Sequence, residues 1–259
     1  MTQSVKDIVL FQIYGGLGDN LSISMIPELC NSHGINCYLS KHNAYRNEGI
    51  KSFLWERNSF LKGEKEDSPI DWLKNLFTPN CFLKEGNKRR NIIEATQCAY
   101  GLEPVYHYPK IYYNPNYIKE LKDKVFIDLS AYTTSDKYKI DIVNEVIENQ
   151  KLDFNNTINI THSNLKPYHI KGTSGWRNIN RIKSVKFDSL DITNLEYYSD
   201  VLCSCKKFIT THSGQASLAS AIKNKMKCDT EIIVITQKEY MPENSCGYWY
   251  ENTTYVEGN

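Results

Sequence analysis

The stretch QIYGGLGDNLSISMIPEL, residues 12–29, sets three glycines, Gly15, Gly16 and Gly18, in front of Asp19 and Asn20. Upstream, IVLFQIY (8–14) is a largely apolar run of strand length, the pattern of a strand covered on both faces. Downstream, Leu21, Met25, Ile26 and Leu29 recur with helical spacing, Pro27 limits the regular part of that helix, and Gly34 closes it. INCYLS (35–40) then returns to strand. Strand, glycine turn, helix and strand in this order predict an α/β fold. A glycine turn at a helix start lets backbone N–H groups approach phosphate oxygens. A carboxylate at that mouth works against an anion, so Asp19 requires a different role.

Working outward, residues 41–87 are less regular. Ile50, Phe53 and Leu54 predict a helix, GEKEDSP (63–69) a polar turn, and DWLKNLF (71–77) a short helix. RNIIEATQCAYGL (90–102) predicts a helix closed by Gly101. EPVYHYPKIYYNPNY (103–117), with three prolines, reads as a connection. The alternation then restarts. VFIDLSAY (125–132) and TINITHS (157–163) read as strands around a helix at 139–150 with Ile142, Val146 and Ile147 inward, and IKSVKF (182–187) as a short strand. Thr193 and Glu196 form a capping-box pattern that starts the next helix. KKFITTHSGQASLASAI (206–222) gives strand, tight turn and helix, and EIIVIT (231–236) the last strong strand. The chain is thus expected to be two small Rossmann-like units, residues 1–115 and 116–259, each with a small-residue βα turn.

The 259 residues are 41% apolar and 24% charged, enough for a substantial core, and the net charge of +1 points to no strong commitment to nucleic acid or membrane. No run approaches ~18 apolar residues, and the N-terminus lacks a secretory pattern, so the expected compartment is cytoplasmic. The eight cysteines include no CxxC pair and are expected to be reduced and mostly buried. No metal-ligand pattern stands out.

GGLGDN (15–20) is a poor dinucleotide fingerprint, because Leu21 occupies the third glycine position and the next strand ends in Ser40, Lys41 and His42 without an acid. No Gly-Lys-Ser/Thr follows, so it is no P-loop either. GGLGDNLSISMIPEL resembles the glycine-rich "GD…P" signature of the heptosyltransferase-like glycosyltransferases (glycosyltransferase family 9), and DITNLEYYSDVLCSCKKFITTHSGQASLASAI (191–222) is similar to that family's segment around the donor nucleotide. The resemblance implies a GT-B-like fold of two units facing a cleft, and transfer of a sugar from a nucleotide-diphosphate sugar to a saccharide or glycoconjugate hydroxyl. It implies Asp19 as general base, with Gly15, Gly16, Gly18 and Asn20 forming the acceptor-side loop. Thr211, His212, Ser213, Gly214 and Gln215 would hold the donor, His212 also serving at the leaving diphosphate, with Lys166, Lys171 and Arg177 as nearby cations. It also implies metal independence and no cofactor beyond the donor.

Two positions depart from the family pattern: His212 stands where an aspartate is usual, and Ser217 where a histidine is usual. The structural alternatives are an N-cap role for Asp19 and a hydrogen-bonding role for His212. Functional alternatives are a glycosyltransferase acting on nucleic-acid bases, suggested by Lys88–Arg90 and the tyrosines at 106–117, a nucleotide-sugar epimerase, and a non-catalytic nucleotide-sugar-binding protein.

Overall fold

A computed structural model describes residues 7–12, 14–66, 79–84, 89–130, 140–162, 187–242 and 247–258. The chain folds as two compact units, Met1–Tyr113 with Cys246–Tyr248, and Asn114–Ser245 with Trp249–Asn259. A short C-terminal stretch thus packs with the first unit, a return that no local signal announces.

In the first unit, β1 (Asp7–Leu10), β2 (Asn36–Ser40) and β3 (Leu61–Lys65) form a parallel sheet in the order β1-β2-β3. The helix expected from Asn20 to His33 is two helices, α1 (Leu17–Leu21) and α2 (Ile26–Ser32). Pro27 lies in the first turn of α2, where its missing N–H breaks no helical bond, and Gly34 ends α2 with φ +66°. Leu21, Ile23, Met25, Ile26 and Leu29 are buried. Farther on, α3 (Glu48–Ile50) runs into a π-type turn, Lys51–Trp55, that buries Phe53, Leu54 and Trp55.

The turn expected at 63–69 is corrected over its first residues: Leu61–Lys65 is strand, and its mostly exposed side chains at a sheet edge explain the missing apolar signal, while residues 67–69 lie outside the described residues. The expected helix at 71–77 lies outside the described residues. A short helix, α4 (Pro79–Phe82), precedes α5 (Ile92–Ala99). Asn91 caps α5, its Oδ1 accepting from Glu94 N at 3.0 Å while Glu94 Oε2 accepts from Asn91 N at 3.1 Å. Residues 103–118 carry no regular element.

The second unit is a parallel sheet of six strands: β4 (Val125–Asp128), β5 (Thr157–Thr161), β6 (Asp188–Asp191), β7 (Lys207–Thr211), β8 (Glu231–Thr236) and β9 (Thr254–Glu257). Their spatial order is β6-β5-β4-β7-β8-β9. Helices α6 (Ile140–Asn149), α7 (Leu195–Ser204) and α8 (Gly214–Met226) connect them. One face of the sheet, with Ile127, Ile209, Ile233 and Ile235, packs with Val143, Val146 and Ile147 of α6. Val143 takes the inward position expected of Ile142, one residue along the same turn. On the other face Phe126 and Phe208 are fully buried, and Tyr198 of α7 meets Phe208 edge-on at 6.2 Å.

β6 and β9 have no counterpart in the sequence expectation. Both lie at sheet edges with largely exposed side chains. The cap of α7 is Asn194, whose Oδ1 accepts from Tyr197 N at 2.7 Å, one residue later than the expected Thr193. The expected strand at 182–187 falls almost wholly outside the described residues. The seven described cysteines are free thiols, five of them buried.

Candidate functional site

From β4 the chain steps outward to β5 and β6, then returns to place β7 on the opposite side of β4. The loops after β4 and β7 therefore depart in opposite directions. In open parallel sheets such a reversal leaves a crevice at the carboxyl ends of the strands, the usual place for a ligand. The residues expected to hold a donor, Thr211 to Gln215, lie at this point.

β7 ends in buried Thr211, and α8 begins at Gly214 with Ser213 as its N-cap, extended at φ −158° and ψ −176°. A serine here ordinarily accepts from an N–H of the first turn. Ser213 makes no such bond. Its hydroxyl is directed to the Thr211 carbonyl at 3.0 Å and to Gln215 Oε1. The first turn of a thirteen-residue helix is thus left without a side-chain cap, its dipole carrying roughly half a positive charge at this end. His212 is half-buried, its N–H on the Ile235 carbonyl at 3.1 Å and its ring stacked on Tyr240 at 5.6 Å and 20°. Among the described residues, the buried hydroxyls of Thr211 and Thr236, at the ends of β7 and β8, have no hydrogen-bond partner. Ser217 is buried and shares a 2.9 Å hydrogen bond with Tyr250, so the position where the family has histidine carries an inward packing contact.

Below this turn lies a carboxylate that the sequence did not single out. Asp128, the last residue of β4, is fully buried. It accepts from Ser130 N at 3.0 Å, the Ser130 hydroxyl, His162 Nε2 at 2.8 Å and the Tyr198 hydroxyl at 2.5 Å. Burial pushes its carboxyl up, but the hydrogen bonds and charge from His162, with those from Ser130 and Tyr198, hold it below the ordinary range. Burial and the Asp128 charge push the Tyr198 phenol well up. Ser130 in turn accepts from Gln215 Nε2, at 2.6 Å on its carbonyl and 3.2 Å on its hydroxyl.

The first glycine turn is built differently. Gly15 has φ +66°, and a Cβ there would fall 2.8 Å from the carbonyl carbon and oxygen of Ala44, so backbone conformation and space both require glycine. At Gly16 a Cβ would meet Asp19 Oδ2 at 2.6 Å. With glycine there, Asp19 folds back and Oδ2 accepts from Gly16 N at 3.1 Å. The N-cap alternative for Asp19 thus has a physical basis in reverse: its carboxylate sits in the first turn and satisfies the N–H ahead of it.

Asp19 Oδ1 accepts from the Tyr248 hydroxyl at 3.3 Å, and the charge of Arg46, whose Nε is fixed on the Tyr14 carbonyl at 2.7 Å, acts on the same carboxylate. Burial dominates and raises the Asp19 carboxyl above its ordinary value, against the lowering effects of Arg46, Gly16 and Tyr248. Gly18 lies half-buried within α1. Asn20 is corrected from loop to core: it is fully buried, donating to the Gly16 carbonyl at 2.9 Å and accepting from Trp55 Nε1 at 3.0 Å.

Lys166, Lys171 and Arg177 lie outside the described residues, as does Lys88. Arg90 donates to the carbonyls of Leu83 and Cys81. Within the tyrosine-rich connection Tyr106 and Tyr112 donate to Glu28 at 3.1 and 3.3 Å and Lys110 pairs with the same carboxylate at 2.5 Å, whereas Tyr117 is exposed. Asp128 carries a usable sequence signal, an ionisable residue closing the apolar strand VFID, whereas His162 follows the mixed strand TINIT and carries little. Arg46 and Tyr248 carry none, because their relation to Asp19 exists only in the fold.

Among the described residues no group of three or more His, Cys, Asp or Glu is placed to hold a metal ion, and no helix is long and apolar enough to cross a membrane. Neither a sequence-family model nor a curated protein sequence matches the chain. Solved structures do. The dodecameric iron-containing glycosyltransferase TibC of enterotoxigenic E. coli is 13% identical with a TM-score of 0.57, the match covering 99% of this chain and 64% of that one. E. coli heptosyltransferase WaaC with ADP is 11% identical with a TM-score of 0.55, covering 97% of this chain and 93% of that one. A glycosyl transferase family 9 structure from Veillonella parvula is 9% identical with a TM-score of 0.53, covering 98% and 86%. The chain spans 64–65% of the length of the TibC chains it matches. With its two α/β units and parallel sheets, the protein has the GT-B-like fold of the heptosyltransferases and family 9 glycosyltransferases.

Proposed function

We propose that the protein is a glycosyltransferase that moves a sugar from a nucleotide-diphosphate sugar to a hydroxyl of a saccharide or glycoconjugate acceptor. The observation that carries this reading is the uncapped start of α8 at the strand-order reversal of the second sheet. Neutral N–H groups at the positive end of a long helix suit a diphosphate and stabilise it further as it leaves. Similar structures contain ADP and ADP-D-β-D-heptose, and from these we take only the donor class.

The acceptor falls to the first unit. Asp19 is half-buried, and burial raises its carboxyl above the ordinary aspartate value, the direction that suits a general base. In the proposed step Asp19 takes the proton of the acceptor hydroxyl, and the freed oxygen pair forms the bond to the anomeric carbon. The bond from that carbon to the diphosphate breaks, and the nucleoside diphosphate leaves with the electron pair. His212 stands beside the helix start as a hydrogen-bond donor to the departing group. Metal independence, the lack of a further cofactor and a cytoplasmic location belong to the same proposal.

The test is a melting-temperature panel with ADP, UDP, GDP and CDP, followed by a transfer assay with the matching sugar nucleotide. Selective stabilisation by one nucleotide, with release of that nucleotide dependent on an acceptor, is the expected result. Stabilisation without turnover assigns the chain to the non-catalytic binders. No stabilisation by any of the four contradicts the proposal.

A further inference from the structure

The hydrogen bonds around Asp128 have a direction. The Ser213 hydroxyl, which also lies 3.0 Å from the Thr211 carbonyl, donates to Gln215 Oε1; Gln215 Nε2 donates to the Ser130 carbonyl at 2.6 Å and reaches the Ser130 hydroxyl at 3.2 Å; and Asp128 Oδ1 holds Ser130 by accepting from both its N–H and its hydroxyl. Every donor in this series points toward the buried carboxylate. Asp128 accepts four hydrogen bonds, which saturates the lone pairs of a carboxylate, so its position in the core is fully determined. A chain of this kind is polarised by its terminal charge, and each bond strengthens the next.

The chain spans the point where the sheet order reverses: Asp128 and Ser130 follow β4, while Ser213 and Gln215 follow β7. Its far end is the N-cap serine that does not cap. The default behaviour of Ser213, accepting from its own helix, would take a first-turn N–H that the proposed donor uses, in a turn where Ala216 N–H already bonds the Ser213 carbonyl at 3.1 Å.

We infer that Asp128 is a positioning residue for donor binding, acting through Ser130 and Gln215 to hold the Ser213 hydroxyl away from the first turn of α8 and so keep that helix start open for a diphosphate. The inference rests on the donor-site reading above and adds to it the device that prepares the site. His162 and Tyr198 complete the carboxylate's shell on Oδ2, the oxygen that the chain does not use.

The experiment measures the affinity of the full chain for ADP by calorimetry, below the melting temperature of every variant, for wild type, Asp128→Asn, Ser130→Ala and Tyr198→Phe. Asp128→Asn and Ser130→Ala are each expected to weaken ADP binding by about tenfold or more. Tyr198→Phe removes a bond to the same carboxylate outside the chain, so it is expected to lower the melting temperature and leave ADP affinity within about twofold. If Asp128→Asn does not fold, Ser130→Ala is read beside Gln215→Leu, which also removes the 2.6 Å bond to the Ser130 carbonyl and is expected to weaken ADP binding to the same degree. Wild-type affinity in Ser130→Ala or in Gln215→Leu overturns the inference, as does an equal loss in Tyr198→Phe, because a merely structural carboxylate transmits every disturbance alike. Failure of the wild-type chain to bind ADP or any of UDP, GDP and CDP overturns the donor-site reading itself, a result distinct from either.

Discussion

The two glycine turns share a grammar of strand, small residues and helix, yet they solve the helix start in opposite ways. At Gly15–Asp19 the following helix is five residues long, and its own carboxylate folds back on the N–H of Gly16. At Thr211–Gln215 the helix is thirteen residues long, and the residue suited to cap it turns away. One turn closes itself with negative charge; the other presents positive potential. The difference teaches that a glycine-rich βα turn is not in itself a phosphate site, since the residues that take the first-turn N–H groups decide what approaches.

The carboxylates behind the two turns show the same contrast. Burial raises the Asp19 carboxyl, whereas the hydrogen bonds from His162, Ser130 and Tyr198 outweigh burial and lower that of Asp128. The two environments push the two acids in opposite directions, which suits each to a different task. Asp19 is suited to exchange a proton, and Asp128 to remain a charge.

The largest effect is expected on breaking the first turn's chemistry. Asp19→Asn keeps a side-chain oxygen for Gly16 N and loses the base, so transfer should fall by roughly 10²–10⁴-fold while nucleotide affinity is unchanged. Initial-rate kinetics beside a binding isotherm separate the two. Near-normal transfer by this variant removes Asp19 from catalysis.

Next comes the geometry of that turn. Gly15→Ala combines a positive φ with a Cβ 2.8 Å from the Ala44 backbone, and is expected to cost about 1–3 kcal/mol or more by denaturant unfolding. The small residues of the second turn carry no such strain, since the Ser213 backbone is extended.

A smaller effect concerns pH. Because the Asp19 carboxyl is raised, the acid limb of kcat/KM should fall above the ordinary aspartate range. Tyr248→Phe, which removes a bond to the charged form, should move that limb further up and cost about threefold to tenfold in kcat near neutral pH. Stability responds with opposite signs. A raised folded-state value favours the native state below the unfolded value, and this contribution of Asp19 is lost as pH rises through the folded one. The lowered value of Asp128 stabilises above the unfolded value, and that contribution is lost as pH falls through the folded one. Urea titrations of Asp19→Asn and Asp128→Asn across acid pH read the two signs separately. The smallest effect is the one expected of chelation: transfer in the presence of EDTA should equal transfer without it, and loss restored by one metal ion would contradict metal independence.

Much of the architecture was legible because its signals are local. β7, α8 and β8 announce themselves through an apolar run, a turn and a helix within thirty residues. β3, β6 and β9 do not, because edge strands with solvent-facing side chains such as LKGEK and DSLD carry no apolar period. The start of α7 was displaced by one residue because Thr193 and Asn194 both suit an N-cap, and only the backbone selects between them.

The candidate site divides along the same line. Asp19 and the 211–215 turn are contiguous motifs. Asn20 was misplaced because its partner, Trp55, lies thirty-five residues away. Tyr248 reaches Asp19 across 229 residues, and no periodicity links them. Asp128 joins His162, Tyr198 and Gln215 from separate elements, so its meaning emerges only once parallel strands bring their carboxyl ends together.

The most direct measurement of the contrast places the first turn's solution in the second. Ser213→Asp puts a good capping carboxylate at the start of α8, while Asp19→Asn removes the charge from the other turn, and ADP affinity is measured for both beside the wild type. The account predicts that Ser213→Asp retains or gains thermal stability and loses ADP binding by at least about tenfold, whereas Asp19→Asn binds as the wild type does. Wild-type affinity in Ser213→Asp, or equal losses in both variants, would contradict it.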